Sequence, residues 1–202
     1  IFGALKIDAT NFLKNSLIIE NKNQETVFYD KAKLVPFGEY LPFINLKNYF
    51  KISERSNLFG WGFKSGKGSE LLSLPNGLTF VPLICYEAIF SNFLKPSVKD
   101  ADFILQITND AWFGKSIGPQ QHLAQLRMRA IEYGLPVIRV ANTGISAIID
   151  AEGKVVKKLS INKSGYLDSF IPSRKHTTIY GKFGDLIFLS LIVLIKVFFA
   201  LP

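Results

Sequence analysis

Gly77-Leu78-Thr79-Phe80-Val81-Pro82-Leu83-Ile84-Cys85 is a mostly apolar run that ends on the only cysteine of the chain, and it reads as a strand. A second run, Ala101-Asp102-Phe103-Ile104-Leu105-Gln106-Ile107-Thr108, reads as a buried strand that ends at Asn109-Asp110. Pro119 then opens a helix. Leu123, Leu126, Ala130 and Ile131 recur in it at helical spacing, and Gly134 stops it. Val137-Ile138-Arg139-Val140 is a third strand, followed by Asn142-Thr143-Gly144. Residues 145–150 and 155–159 form a hairpin around Glu152-Gly153. Strands with helices between the central ones predict an α/β sheet. No internal repeat interrupts this order.

Upstream, Asn15-Ser16-Leu17-Ile18-Ile19-Glu20 and Glu25-Thr26-Val27-Phe28-Tyr29 are two strands joined by a turn at 21–24. Pro36 and Gly38 fix an irregular loop that carries Glu39. Residues 51–70 hold Gly60, Gly62, Gly66 and Gly68 among Ser and Lys, with Leu58, Phe59, Trp61 and Phe63 between them. That composition fits a flap that covers a substrate or dips into a membrane, and equally a loop packed onto its own domain.

The 202 residues are nearly half apolar and one-fifth charged, enough for one domain with a real core and too apolar for a disordered chain. The net charge of +8 favours acidic partners. Lys6, Lys14, Lys22, Lys31, Lys33, Lys47, Lys64 and Lys67 are scattered rather than clustered among aromatics, so no nucleic-acid partner is expected. One cysteine allows no internal disulfide, and with only His122 and His176 no zinc pattern exists. Residues 186–202, LIFLSLIVLIKVFFALP, carry a single charge, Lys196, and are apolar on every face. As a helix they would run about 25 Å, slightly short of a hydrocarbon core of roughly 30 Å. A transmembrane helix is the expectation, with a buried soluble helix as its competitor. No N-terminal signal is read from a chain that opens on Ile1 rather than Met.

Several familiar chemical signatures fail. Gly114-Lys115-Ser116 resembles the tail of a phosphate-binding loop, but Asn109 stands where that loop needs glycine. No G-x-S-x-G elbow is present. Neither histidine lies near Cys85 in sequence, and His122 reads as a surface or capping residue. What remains is a thiol at a strand end, followed by Tyr86 and Glu87, with Lys31 after one upstream strand and Glu39 after a rigid loop. Gathered around a thiol, a lysine would stabilise an oxyanion, and carboxylates would move or position a proton. Spacing alone leaves ordinary surface charges open as the other reading.

The segments Tyr29-Asp30-Lys31-Ala32-Lys33-Leu34-Val35-Pro36-Phe37-Gly38-Glu39, Ile84-Cys85-Tyr86-Glu87 and Asn109-Asp110-Ala111-Trp112-Phe113-Gly114 resemble the nitrilase superfamily. More closely, they resemble its membrane branch, the apolipoprotein N-acyltransferases. Gln121-His122 to Glu132 and Arg139 to Ser146 continue the match across almost the whole chain. The resemblance implies a nitrilase-like α-β-β-α sandwich, N-terminally truncated. It divides the chain into a partial catalytic domain over 1–180 and a C-terminal transmembrane helix over 181–202. It makes Cys85 the acylated nucleophile, Lys31 the lysine that stabilises the oxyanion, and Glu39 the supporting glutamate. Tyr86 and Glu87 shape the surroundings of the thiol, with the Tyr86 N–H facing the oxyanion, and Trp112 lines the substrate entrance. Packing is the alternative role for the last three. The family's general-base glutamate falls before Ile1, and Glu20 and Glu25 lie on the wrong hairpin to replace it, so this chain alone is expected to be inactive.

The implied reaction moves an acyl chain from a phospholipid through a Cys85 thioester to the α-amino group of the lipid-modified N-terminal cysteine of an apolipoprotein. No cofactor or metal is implied. The full-length enzyme would be a monomer of the bacterial inner membrane, with its catalytic domain on the periplasmic, outer face. A soluble nitrilase-type amidase and a non-catalytic remnant of a split gene are the competing readings.

Overall fold

The structure is a computed structural model that describes residues 1–9, 11–21, 25–40, 42 and 62–200. The expected flap residues Leu58, Phe59 and Trp61 lie outside the described residues.

Two sheets face each other. Strands β1 (Phe2–Ile7), β2 (Leu13–Glu20) and β3 (Thr26–Asp30) form an antiparallel sheet in the order β1-β2-β3. Strands β4 (Leu72–Ser73), β5 (Thr79–Ile84), β6 (Phe103–Asn109), β7 (Val137–Asn142), β8 (Ser146–Ile149) and β9 (Val155–Leu159) form a second sheet in sequence order. The central strands β5, β6 and β7 are parallel, and β4, β8 and β9 add on antiparallel.

The apolar run of β5 is sorted by the period of two that a strand imposes. Phe80 and Ile84 point toward the three-stranded sheet. They pack with Leu17, Ile19, Tyr29, Phe103 and Leu105, and the Phe80 and Phe103 rings stack at 5.3 Å. Val81 and Leu83 point the other way, into a core shared with Ile104, Val137, Ala147 and Ile149. Helix α1 (Gly118–Tyr133) closes that side through Leu126, Ala130 and Tyr133. Pro119 stands in its first turn, and Gly134 ends it in the left-handed region at φ 63°. Burying each of these large apolar side chains contributes about 1.5–3 kcal/mol.

The α/β reading and the two face-to-face sheets agree with the expected sandwich, but among the described residues helices cover only one outer face. The other face, on the three-stranded sheet, carries charge. Lys6 and Lys14 pair with Asp30 at 2.7 Å each, the Ser16 hydroxyl donates to Asp30, and the Lys6 ammonium sits 4.2 Å above the Phe28 ring.

The C-terminal expectation changes in one respect. Helix α2 (Ile179–Phe183) leads to α3 (Leu186–Ala200), which has fifteen residues. At 1.5 Å per residue it is about 22 Å long, against a hydrocarbon core of roughly 30 Å. No helix among the described residues is long and apolar enough to cross a membrane. The base of α3 is tied to the domain, because Asp185 accepts from Asn92 and from the Tyr180 hydroxyl.

Candidate active site

The three parallel strands end on the same side of the sheet, where chains of this architecture open a crevice. Cys85 directly follows β5 and has φ 50°, a left-handed conformation uncommon for a residue with a Cβ. A 3-10 turn, Cys85–Ile89, begins at the thiol. The sharp change of direction lifts Cys85 out of the sheet, and its side chain is partly exposed.

Glu87 holds this turn in place. Its carboxylate is fully buried and lies 2.9 Å from the Tyr29 hydroxyl. It accepts from the Ile84 amide at 2.7 Å, the Ala32 amide at 2.7 Å and the Lys33 amide at 3.1 Å. One side chain therefore joins the end of β5 to the segment that follows β3. Burial pushes the Glu87 carboxyl above its ordinary range, while the Ile84, Ala32 and Lys33 amides and the Tyr29 hydroxyl pull it back. Burial, and then the Glu87 charge, raises the Tyr29 phenol, so it remains a donor.

The same junction places Lys31. Its side chain is 1% exposed, and its ammonium donates to both Glu39 oxygens at 2.7 Å. Glu39 is itself anchored, because its Oε2 accepts from the Val35 amide at 2.8 Å across the Pro36–Gly38 turn. Gly66 seats the segment after residue 61 against β3, where a Cβ would come within 2.0 Å of the Asp30 carbonyl oxygen.

Lys31, Glu39, Cys85, Tyr86 and Trp112 line one cavity of about 380 Å3, with Val35, Ile89 and Phe113 adding apolar walls. Five of the six residues singled out from sequence thus share that space, and the sixth, Glu87, lies beneath it. Trp112 is 79% exposed at the rim, on the 3-10 turn Asp110–Phe113 after β6. The Tyr86 ring meets Phe90 edge-on at 5.0 Å. Among the described residues no group of His, Cys, Asp or Glu is arranged to hold a metal ion.

His122 is not the surface or capping residue that its position on an amphipathic helix predicts. It is 5% exposed and faces the sheet from α1. Its Nδ1 lies 3.0 Å from Asp110 Oδ1, and its Nε2 lies 3.0 Å from the Cys85 carbonyl oxygen. Gln106 Nε2 donates to the same carbonyl at 3.0 Å. Arg139 donates to Gln106 Oε1, to Asp110 Oδ2 at 2.5 Å and to the Ile145 carbonyl at 3.0 Å. Thr108 donates to Asp110 at 3.1 Å. Burial would raise the Asp110 carboxyl, but the His122 hydrogen bond and the Arg139 charge outweigh it and hold the group below its ordinary range. Gly144 lets the turn after β7 close over this carboxylate, since a Cβ there would come within 2.2 Å of Asp110 Oδ2.

These buried polar residues left a signal in the sequence. Gln106 interrupts the apolar run of β6, and Arg139 stands between Ile138 and Val140 in β7. Both fall on the helix-facing side, in line with Ile104 and Val137. A polar side chain at a core position needs partners, so each points to a buried network.

The carbon-nitrogen hydrolase family model matches residues 2–175. Among curated relatives, the apolipoprotein N-acyltransferase of Rhizobium rhizogenes is 43% identical over 175 residues, covering 84% of this chain and 33% of that protein. The apolipoprotein N-acyltransferase of Rickettsia prowazekii is 44% identical over 185 residues, covering 91% of this chain and 36% of that protein. The chain thus spans about a third of the length of the curated relatives it matches. Among solved structures, a glutamine-dependent NAD+ synthetase from Acinetobacter baumannii superposes with TM-score 0.62 at 18% identity, over 81% of this chain and 29% of that one. An amidase from Nesterenkonia sp. gives 0.58 at 15% identity, over 79% and 56%. A carbon-nitrogen hydrolase from Helicobacter pylori gives 0.58 at 17%, over 78% and 56%. These three likenesses concern the fold.

Proposed function

Because the chain belongs to the carbon-nitrogen hydrolase family, we propose that it performs acyl transfer through a thioester on Cys85, as part of an apolipoprotein N-acyltransferase. The observation that carries this reading is the shared cavity, in which a partly exposed thiol on a strained turn meets a buried lysine paired to a glutamate.

In the proposed reaction the Cys85 sulfur attacks the ester carbonyl of a phospholipid. The carbonyl oxygen becomes an oxyanion, which the Lys31 ammonium and the Tyr86 N–H stabilise. The C–O bond then breaks, and a lysophospholipid leaves with the proton given up by the thiol. Next, the α-amine of the lipid-modified N-terminal cysteine of an apolipoprotein attacks the thioester, the C–S bond breaks, the amide product departs, and the proton lost by the amine returns to the Cys85 sulfur. Glu39 holds Lys31 in position, Glu87 holds the turn, and Trp112 forms the rim over which an acyl chain enters. Apolar walls suit that chain and keep water from the thioester.

An exposed apolar helix supports a membrane-side reading of the site. Phe188, Leu189, Leu191, Val193, Leu194, Val197, Phe198 and Phe199 of α3 are all exposed, a burden that lipid would relieve. We read residues 181–202 as the membrane segment and 1–180 as the catalytic domain, working as a monomer on the outer face of the bacterial inner membrane.

The test supplies the full-length protein with vesicles of acyl-labelled phospholipid and a diacylglyceryl-cysteine peptide, and in parallel with simple aliphatic amides. Label is expected to move from phospholipid to the peptide amine, with the amides left intact. Release of ammonia from the amides without label transfer would replace this reading with an amidase.

A further inference from the structure

Two side chains, Gln106 and the cavity-lining His122, converge on one peptide bond, the one that joins Cys85 to Tyr86. Its carbonyl accepts from Gln106 Nε2 at 3.0 Å and lies 3.0 Å from His122 Nε2, which donates to it when that nitrogen carries the proton. Neither donor is free to swing. Gln106 is fully buried and its Oε1 is held by Arg139, while His122 is held through Nδ1 by Asp110. Arg139 and Asp110 close the loop at 2.5 Å with both side chains fully buried. A hydroxyl from Thr108 and the Ile145 carbonyl complete the set.

A peptide unit is planar and trans, so its N–H points opposite to its C=O. Fixing the Cys85 carbonyl against Gln106 and His122 therefore fixes the direction of the Tyr86 N–H. It also holds Cys85 at φ 50°, a conformation that costs of order 1–3 kcal/mol and persists only where its surroundings enforce it. Two donors on the carbonyl further polarise the peptide and make its N–H a stronger donor.

We propose that Gln106 and His122, locked by Asp110 and Arg139, are positioning residues for the oxyanion, because they set the plane of the Cys85–Tyr86 peptide. The proposal rests on Cys85 as the acylated nucleophile. His122 also lines the cavity, but its Nε2 faces the Cys85 carbonyl, so the network acts through the peptide.

The test compares two reactions of the same thiol in the full-length protein. In the first, a 4-nitrophenyl alkanoate acylates Cys85. The sulfur bonds to the carbonyl carbon, an oxyanion forms and collapses, 4-nitrophenolate leaves, and buffer takes the thiol proton. In the second, iodoacetamide alkylates Cys85 by displacement of iodide, and no oxyanion forms. Gln106→Glu keeps shape and the Arg139 contact but removes the donor. His122→Asn keeps a group near Asp110 but cannot reach the carbonyl, whereas His122→Gln restores an N–H near the position of Nε2.

Acylation is expected to fall roughly 10–100-fold in Gln106→Glu and His122→Asn, short of the ~10²–10³-fold for losing an oxyanion donor outright. Alkylation should stay within about threefold, and His122→Gln should recover most of the acylation rate. Circular dichroism of each variant identifies any that does not fold, and the folded one of Gln106→Glu and His122→Asn then carries the comparison against His122→Gln. Equal losses in both reactions, or no loss of acylation, would overturn the proposal. A wild-type protein that alkylates but never acylates at Cys85 removes the nucleophile reading itself, and this proposal with it.

Discussion

Lys31→Met is expected to slow acylation of Cys85 by about 10²–10³-fold, the loss typical of one oxyanion donor. The substitution keeps the unbranched stem, which matters because the side chain is 1% exposed. It removes only the ammonium that lies 2.7 Å from both Glu39 oxygens. Glu39 stays in place through the Val35 amide, so the cavity keeps its outline. What changes is the charge available to a developing oxyanion. Single-turnover acylation by a 4-nitrophenyl ester, followed by phenolate release, measures the effect. A rate within a few-fold of wild type would remove Lys31 from the oxyanion site and leave it a structural partner of Glu39.

Glu87→Leu is expected to cost about 3–5 kcal/mol of stability. The leucine fills similar space but leaves the Ile84, Ala32 and Lys33 amides and the Tyr29 hydroxyl without their acceptor. Each buried donor so stranded costs about 1–3 kcal/mol, and partial access of water to the two loop amides keeps the sum below the maximum. The loss also depends on pH. A carboxyl raised in the folded state contributes stability that is full below its ordinary value and is lost as pH rises through the raised one. The gap between wild type and variant is therefore wider at pH 5 than at pH 8. Urea denaturation at both values checks this. A gap that widens with pH would show that Glu87 is held ionised by its donors rather than pushed toward protonation by burial.

Much of this architecture is legible in the amino-acid order because the strands are short apolar runs with clear punctuation. The runs at 77–85 and 101–108 became the parallel pair β5 and β6, and Pro119 and Gly134 bracket α1. Lys31, Glu39 and Cys85 were found through motifs, since no periodicity announces that residues 31, 39 and 85 share a cavity. That juxtaposition depends on two sheets meeting face to face, which local sequence does not encode. His122 was misplaced for a related reason. Helical spacing marks Leu123 and Leu126 as the buried stripe, and an imidazole beside them reads as the edge of that stripe. Only the partner strands, with Gln106 and Arg139 aimed inward, make a buried site for it. The C-terminal segment was legible as an apolar helix because its run from Leu186 carries a single charge, Lys196.

The most direct test of the central claim is peptide mapping of the full-length protein after brief exposure to acyl-labelled phospholipid vesicles without an amine acceptor. The account predicts a mass increase of one acyl group on the peptide that contains Cys85, released by neutral hydroxylamine and absent in Cys85→Ala. An acyl group found on another residue, or label retained in Cys85→Ala, would contradict it.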